Sequence, residues 1–219
     1  MATNTPSDLA ACRGEAPASR PLHAPFRLIL ASGSRGRKWL LEQAGYPFEI
    51  KPSNIDEPTE ARLGDCRHYV GELAWLKAEA VARNEPDGLV IAADTVGWLH
   101  GKVIGKPDDE ADARRIIKSL SGTVHELWTG VCLWLRPADW QFCWQERSLV
   151  RMKQFTDAEI DAYLKTRKWE GCSGAYAVEL PHDPYLTIED GSVSNVIGLP
   201  MESLAKALGW VGAMQREVP

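Results

Sequence analysis

Residues 28–37 join a short apolar run to a loop whose composition suits an anion. The run Leu-Ile-Leu at 28–30 predicts a buried strand, and a helix is expected from Lys38 to Ala44, ending at Gly45. The loop between them is made of small, hydroxylated and basic residues. Such a loop at a helix N-terminus presents backbone N–H groups and the positive end of the helix dipole, and both favour phosphate.

The side chains of this loop add hydrogen-bond donors that suit phosphate oxygens. They are two serines and two arginines, namely Ser32, Ser34, Arg35 and Arg37. The same composition also fits an ordinary strand–helix turn whose arginines lie on the surface. The spacing of glycine and lysine is not that of a Walker loop, so a P-loop nucleotide site is not predicted.

Two further stretches place charge where a site could use it. Asp56 and Glu57 lie on a predicted turn, where adjacent carboxylates either bind a hard cation such as Mg²⁺ or remain solvated. Residues 68–84 predict a helix whose apolar face consists of Val70, Leu73, Ala74, Leu76, Ala80 and Val81. Lys77 falls within this face, so its ammonium group either reaches out to solvent or meets an anion such as phosphate.

The run Leu89–Ala93 is apolar throughout, which is typical of a strand buried on both faces of a mixed or parallel sheet. It ends in Asp94 and Thr95, and in open α/β sheets the site lies beyond the carboxyl ends of strands. Asp94 is therefore a candidate metal ligand or general base, with a helix cap as the alternative, although residues 96–99 continue extended. Lys106, between a glycine and a proline, is either a positioned cation or a surface lysine.

The remaining elements are predicted from periodicity and turn residues. The other expected strands are 46–50, 102–104, 126–135 and 142–153. The other expected helices are one capped by Asp108 or Asp109 and ended by Gly122, one from the capping box at Thr156 to Lys165, and one that starts at 198–200. Their inward-facing residues are Ala113, Ile116, Ile117 and Leu120, and then Met201, Leu204, Ala205 and Leu208. Residues 171–176 predict a second small-residue loop.

The composition is that of a soluble globular protein, with 44% apolar and 25% charged residues among 219 and a net charge of −5. The negative charge argues against a broad nucleic-acid surface. Five cysteines without a C-x-x-C pair argue against a disulfide framework and a structural zinc site, and they fit a reducing cytoplasm. No apolar run approaches the roughly 20 residues that a membrane helix needs.

The N-terminal part of the chain differs from the rest. Residues 1–25 are rich in Ala, Pro, Ser and Thr and lack an apolar signal core, so a disordered extension is expected rather than a targeting peptide. Residues 26–219 are expected to form a single domain, which is long enough for a sizeable core and for two lobes.

With these segments in place, the chain resembles the Maf family of nucleoside triphosphate pyrophosphatases from about residue 27 to residue 210. The resemblance rests on many short motifs that occur in family order, which makes it highly specific. They are Leu30-Ala31-Ser32-Gly33-Ser34 with Arg37, Asp56-Glu57, Leu73-Ala74 with Lys77-Ala78, Ala93-Asp94-Thr95-Val96, Gly105-Lys106-Pro107, Leu120-Ser121-Gly122 with His125, Thr129-Gly130, Gly174-Ala175-Tyr176 and Gly198-Leu199-Pro200.

The resemblance implies a two-lobed α/β fold shared with inosine-triphosphatase-like enzymes. In that fold a long, mixed, curved sheet is flanked by helices and the nucleotide lies in the cleft. The implied reaction is hydrolysis of modified or pyrimidine nucleoside triphosphates to the monophosphate and pyrophosphate, with Mg²⁺ or Mn²⁺ as cofactor. The resemblance also implies nucleotide-pool cleaning, a link to cell-division arrest, and homodimers.

The resemblance also assigns roles to individual residues. Asp94 and Lys106 are the implied catalytic residues, and Glu57 and Asp94 are the implied metal ligands. The implied substrate-binding residues are Ser32, Ser34, Arg37 and Lys77 on the phosphate side, with Gly36, Thr95 and Glu179 near the base. These roles agree with the chemistry, because hydrolysis at phosphorus needs an activated water and neutralised phosphate oxygens.

Departures from the family pattern leave the preferred base open. Ser34-Arg35-Gly36-Arg37 stands where Ser-Pro-Arg-Arg is usual, so the selectivity position is a glycine, and Arg35 is the neighbour that could substitute. Cys172 and Glu179 are closer to the subfamily that prefers 7-methylated GTP, whereas Thr95 is closer to the pyrimidine-selective one. A nucleotide-binding regulator of cell division with little catalysis is the alternative function. A phosphotransferase is weaker, because neither an acceptor-binding signature nor a Walker lysine is present.

Overall fold

A computed structural model describes residues 26–57, 65–178 and 183–216. The strands are β1 (Leu28–Leu30), β2 (Phe48–Ile50), β3 (Gly88–Leu99), β4 (Lys102–Ile104), β5 (Val124–Arg136), β6 (Trp140–Met152) and β7 (Leu186–Asp190). The helices are α1 (Arg35–Gln43), α2 (Cys66–Ala82), α3 (Glu110–Leu120), α4 (Asp157–Lys165), α5 (Val193–Ile197) and α6 (Met201–Arg216). The expected N-terminal extension, residues 1–25, lies outside the described residues.

The seven strands form one mixed sheet in the order β2-β1-β3-β5-β6-β7, with β4 paired to the end of β3. Strand β1 runs parallel to both β2 and β3, whereas β3, β5, β6 and β7 pair antiparallel in succession. Helices cover both faces of this sheet, so the predicted α/β class with a mixed sheet is confirmed.

Alternation along the strands separates two layers of core. Leu28, Leu89 and Ile91 pack with α1 and α6 on one face, whereas Ile29 and Val90 pack beneath α2 on the other. The buried run at 89–93 is therefore covered on both sides, as the apolar sequence predicts. A further core joins α3, α4 and the far ends of β6 and β7, so the sheet carries a separate core towards each end.

Helix boundaries follow their caps. Helix α1 begins at Arg35, earlier than predicted, because the Ser34 side chain accepts a hydrogen bond from the Arg37 N–H. Helix α2 likewise begins at Cys66, where Asp65 is the cap. Asp109 is the cap of α3, and the capping box at Thr156 starts α4, which ends at Lys165 as predicted.

The predicted inward faces need two corrections. In α2, Leu76 and Ala80 are only half-buried, and Ala78 is buried instead, because the contact with the sheet is centred between Val70 and Ala78. In the last helix Leu204 and Leu208 are buried as predicted, Met201 and Ala205 are half-buried, and Ala207 and Val211 complete the inward face. The four predicted core residues of α3 are all buried.

Strand limits also differ from the predicted ones. The strand expected over 46–50 begins only at Phe48, and β5 and β6 are a little longer than predicted, since their pairing continues to both ends of the hairpin. Within the described ranges, no helix combines the length and the apolar character needed to cross a membrane.

His125 is expected to make stability depend on pH. The residue is buried in β5, its Nδ1 has no hydrogen-bond partner within the described residues, and burial lowers its pKa to about 4. An unfolded histidine titrates near 6.5, so as the pH falls below that value the unfolded chain takes up the proton first and stability decreases. Between pH 7 and pH 5 we expect a loss of about 2 kcal/mol from this residue.

Urea denaturation of the parent and of His125→Leu at both pH values measures this contribution. The parent should lose more stability than the variant does on going from pH 7 to pH 5. An identical pH dependence in the two proteins would contradict the assignment.

Candidate active site

Asp94 lies on β3 where that strand extends past the end of β1. Strand β1 ends at Leu30, which pairs with Ile91 of β3. The residues that follow Leu30 therefore leave the sheet close to Asp94. The segment that follows β2 returns to the same edge and carries Glu57. The carboxyl ends of the parallel strands β1 and β2 therefore lie close to Asp94. In α/β sheets, binding sites lie beyond the carboxyl ends of the strands.

Lys77, Asp94 and Glu57 form a compact ionic cluster. The Nζ atom of Lys77 lies 2.5 Å from Asp94 Oδ1 and 2.8 Å from Glu57 Oε1. The side chains of Lys77 and Asp94 are each only 11% exposed. Of the two alternatives for Lys77, the solvent-directed one is thus not observed, and the anions that it meets in the protein are carboxylates.

The charges around Glu57 favour its ionised form. Burial, the largest single influence, raises the pKa of this carboxyl, but the hydrogen bond and charge of Lys77 lower it. The charges of Lys106 and Arg37 act in the same direction as Lys77, and the net pKa lies below the usual value. Glu57 therefore remains available as an acceptor for cations at neutral pH.

Arg37 connects three segments of the site. Its Nε donates to the carbonyl of Gly198 at 2.8 Å, Nη1 to Ser32 Oγ at 3.1 Å and Nη2 to Thr95 Oγ1 at 3.2 Å. Burial lowers the pKa of this guanidinium, while the charges of Asp94 and Glu57 raise it. A guanidinium has five N–H donors, so two remain for an anion.

The buried hydroxyl of Thr129, which was not among the predicted site residues, contacts the hydroxyl of Thr95. Thr129 Oγ1 lies 2.9 Å from Thr95 Oγ1 and 3.2 Å from the carbonyl of Asn195 in α5. Thr129 sits in an otherwise apolar, buried stretch of β5, and a polar residue in such a run is the sequence signal for a partnered hydroxyl.

The second small-residue loop packs against the same strand. Ser173 Oγ donates to the carbonyl of Thr95 at 3.3 Å, and the N–H of Gly174 donates to the carbonyl of Gly105 at 2.9 Å. Burial raises the pKa of the neighbouring Cys172 thiol, and the charges of Arg35 and Lys106 partly offset this effect. Arg35 and Lys106 are exposed, so they are cations on the rim of the site.

Gly36 is a glycine for a steric reason. A Cβ built at this position would lie 2.9 Å from Ile197 Cγ2 and 3.2 Å from the Ile197 carbonyl oxygen. Ile197, the last residue of α5, therefore occupies the space that a side chain at position 36 would need.

The structure brings most of the predicted site residues together. Ser32, Ser34, Gly36, Arg37, Glu57, Lys77, Asp94 and Thr95 lie around the end of β1, and Lys106 lies on the rim. Glu179 lies outside the described residues. Ser34 acts as the helix cap, and its N–H donates to Ser32 Oγ at 3.2 Å.

Two carboxylates at the site could serve as ligands of a metal. Glu57 and Asp94 share the Lys77 ammonium group, so both point towards one place. Throughout residues 26–57, 65–178 and 183–216, groups of three or more His, Cys, Asp or Glu side chains that could hold a metal are not found. Two carboxylates are the number that Mg²⁺ commonly takes from a protein when phosphates supply other ligands.

Comparison with known proteins gives a family and several relatives of this chain. The family described as Maf-like protein matches residues 27–211. A dTTP/UTP pyrophosphatase of Rhodopirellula baltica is 39% identical over 189 residues, covering 84% of this chain and 82% of the relative. One of Anaeromyxobacter sp. is 41% identical over 191 residues, covering 85% and 90%. The solved Ham1 protein of Staphylococcus aureus is 16% identical, with a TM-score of 0.41 over 57% of this chain and 71% of that chain.

Proposed function

This chain belongs to the Maf family, and from that premise we propose that it hydrolyses a nucleoside triphosphate to the monophosphate and pyrophosphate. The observation that carries the proposal is the Lys77–Asp94–Glu57 cluster beside the N-terminus of α1. It puts a carboxylate base next to a loop rich in donors for phosphate. Water activation and charge neutralisation are thereby available at one place.

Asp94 is the proton acceptor of this mechanism. The Lys77 ammonium fixes Oδ1 at 2.5 Å, so the other carboxylate oxygen is the one that accepts the proton of the attacking water. The water oxygen bonds to the α-phosphorus, the bond from that phosphorus to the bridging oxygen breaks, and pyrophosphate leaves. The proton ends on the Asp94 carboxylate.

The donors around the loop hold the phosphate oxygens. The first N–H groups of α1 have no partners inside the helix, and its first turn contains no acidic residue. The two remaining N–H groups of Arg37 and the charge of Lys77 act at the same end of the sheet, one from α1 and the other from α2. Together they orient the triphosphate and neutralise the charge that develops on the leaving group.

Glu57 and Asp94 would hold a divalent cation, Mg²⁺ or Mn²⁺, together with the phosphates of the substrate. When bound, such a cation neutralises phosphate charge and lowers the pKa of a bound water. The donor set supports this proposal, because one or two carboxylates with phosphate oxygens are the usual Mg²⁺ ligands at such sites.

We propose dTTP and UTP as the preferred substrates. The support is the name of the relatives that are 39% and 41% identical, together with the position of Thr95 beside Arg37 in the site. The space at Gly36 is filled by Ile197, so the base must be selected by Thr95 and by residues of the neighbouring loops.

Pyrophosphate release tests the activity and the base preference together. The full-length protein is assayed with Mg²⁺ and with Mn²⁺ against dTTP, UTP, CTP, 5-methyl-UTP, pseudo-UTP, 7-methyl-GTP, ITP, GTP and ATP. Release from dTTP and UTP above the others supports the proposal. Preference for 7-methyl-GTP would overturn only the proposed base preference. Nucleotide binding without pyrophosphate release from any substrate would instead favour a nucleotide-binding regulator with little catalysis.

Arg35 is expected to contribute to substrate affinity from the rim. Arg35 is the first residue of α1. Its charge, like that of Lys106, is close enough to Cys172 to offset part of the rise that burial causes in the pKa of that thiol. A charge-assisted bond to phosphate is worth on the order of 1.5–3 kcal/mol, so Arg35→Ala should raise KM about tenfold or more. Lys38→Ala is the matched control, because Lys38 is on the same helix and pairs with Glu42 at 3.6 Å.

Steady-state kinetics with the preferred nucleotide measure the effect. Lys38→Ala removes the same charge and should leave KM within about twofold of the parent. Equal KM values for Arg35→Ala and the parent would show that Arg35 does not reach the phosphates.

We also propose that the enzyme acts in the cytoplasm as a homodimer and without nucleic acid. The net charge of −5 does not favour a polyanion, and the four cysteines in the described ranges, Cys66, Cys132, Cys143 and Cys172, are free thiols. Light scattering of the purified protein would report the oligomeric state directly.

A further inference from the structure

Two of the free cysteines lie directly opposite each other on neighbouring strands. Cys132 of β5 pairs with Cys143 of β6 in the antiparallel register, so both side chains point to the same face of the sheet. Residues opposite each other in antiparallel strands have Cα atoms about 4.5–5.5 Å apart. A disulfide needs about 4.4–6.8 Å, so the backbone already meets the requirement.

The two thiols differ in accessibility. Cys132 is fully buried beneath α2 with Trp134, whereas Cys143 is exposed. The interaction of the two neighbouring thiols lowers the pKa of Cys143 and raises that of Cys132, while burial raises both. Cys143 is thus the thiol that an oxidant in solution reaches, and its sulfur is the more nucleophilic of the two at neutral pH.

The edge of the sheet leaves room at Cys143. Strand β7 pairs only with residues 149–152 of β6, so the part of β6 that carries Cys143 pairs with β5 alone. The exposed strand can therefore adjust towards β5 without breaking pairing on its other side.

We propose that Cys132 and Cys143 form a reversible oxidation site that hydrogen peroxide converts to a disulfide. In the first step the Cys143 thiolate attacks peroxide, the O–O bond breaks, and Cys143 sulfenic acid and hydroxide form. In the second step Cys132 sulfur attacks the Cys143 sulfur, the S–O bond breaks, and the S–S bond forms. The Cys132 proton and the sulfenic oxygen leave as water, so two thiols are oxidised while one peroxide is reduced.

The other described cysteines serve as internal controls. Cys66 is buried in another core cluster, and burial raises its pKa to about 12. Cys172 is half-buried on the loop beside Thr95, and neither of these two residues has a cysteine opposite it in the sheet. Peroxide should therefore oxidise the Cys132–Cys143 pair before them.

The test uses the reduced full-length protein. After treatment with hydrogen peroxide and removal of the excess, free thiols are counted under denaturing conditions and proteolytic peptides are weighed. We expect the loss of two thiols per chain, one linked pair of peptides containing Cys132 and Cys143, and recovery of both thiols with dithiothreitol.

Three variants make the outcome decisive. In Cys143→Ser the intramolecular disulfide cannot form, so peroxide should not remove two thiols from the chain. Cys172→Ser should form the disulfide as the parent does. Because Cys132→Ser leaves the sulfenic acid unresolved, its Cys143 should be trapped by dimedone. A disulfide that joins Cys143 of two chains, a linked pair involving Cys66 or Cys172, or thiol loss in Cys143→Ser equal to the parent would each overturn the proposal.

Discussion

Replacing Asp94 by Asn is expected to lower kcat for pyrophosphate release by at least about 10²-fold. The amide keeps the size of the side chain but cannot accept a proton from water. It also cannot form the ion pair that holds the Lys77 ammonium at 2.5 Å. Lys77 keeps Glu57 as a partner at 2.8 Å, so the fold should survive the change.

Steady-state kinetics and thermal unfolding of the same preparation check this expectation. Asp157→Asn is the matched control, because Asp157 is an exposed residue of α4 whose ion pair is with Lys118, far from the cluster in the chain. The control should keep the parent's kcat. If kcat of Asp94→Asn stayed within about threefold of the parent while the protein remained folded, Asp94 would not be the proton acceptor.

Replacing Gly130 by Ala is expected to destabilise the protein by about 3 kcal/mol or more. A Cβ at this position would lie 2.2 Å from the carbonyl oxygen of Val70 and 2.8 Å from the N–H nitrogen of Gly71. Both are backbone atoms of α2, so the overlap can be relieved only if the helix moves away from β5. Because α2 carries Lys77, activity should fall together with stability.

The free energy of unfolding from urea titration measures this effect. Gly209→Ala is the control, because Gly209 lies within α6 and nothing stands within 4 Å of a Cβ built there. Alanine is the better helix former, so the control should be more stable than the parent by up to about 1 kcal/mol. Equal stability of Gly130→Ala and the parent would mean that α2 does not approach β5 as closely as the structure shows.

Local signals were sufficient for much of the fold. The capping box at Thr156 and the apolar face of α3 depend on residues within a few positions of each other, and both are confirmed. The start of α1 at Arg35 was missed because the apolar pattern begins later than the cap at Ser34. A periodic pattern reports which face is buried, whereas a cap reports where the helix begins.

The candidate site was predictable where a polar residue interrupts an apolar pattern. Lys77 within a helix face and Asp94 at the end of a buried strand each stand out in this way, and the structure joins them in one ion pair. The three acceptors of Arg37 and the contact of Gly130 with α2 could not be predicted. They depend on the register of β3 with β5 and on the position of the turn at Gly198, which are set by tertiary packing.

Asp94 and Thr95 are consecutive residues of one strand, so their side chains leave β3 towards opposite layers of the protein. Asp94 meets Lys77 of α2, and Thr95 meets Arg37 of α1. Both contacts lie at the same end of the sheet, so one strand ties α2 and α1 to the candidate site. A shift of β3 by one residue would exchange the two layers and break the Lys77 ion pair and the Arg37 hydrogen bond together, so the register of this single strand sets both halves of the candidate site.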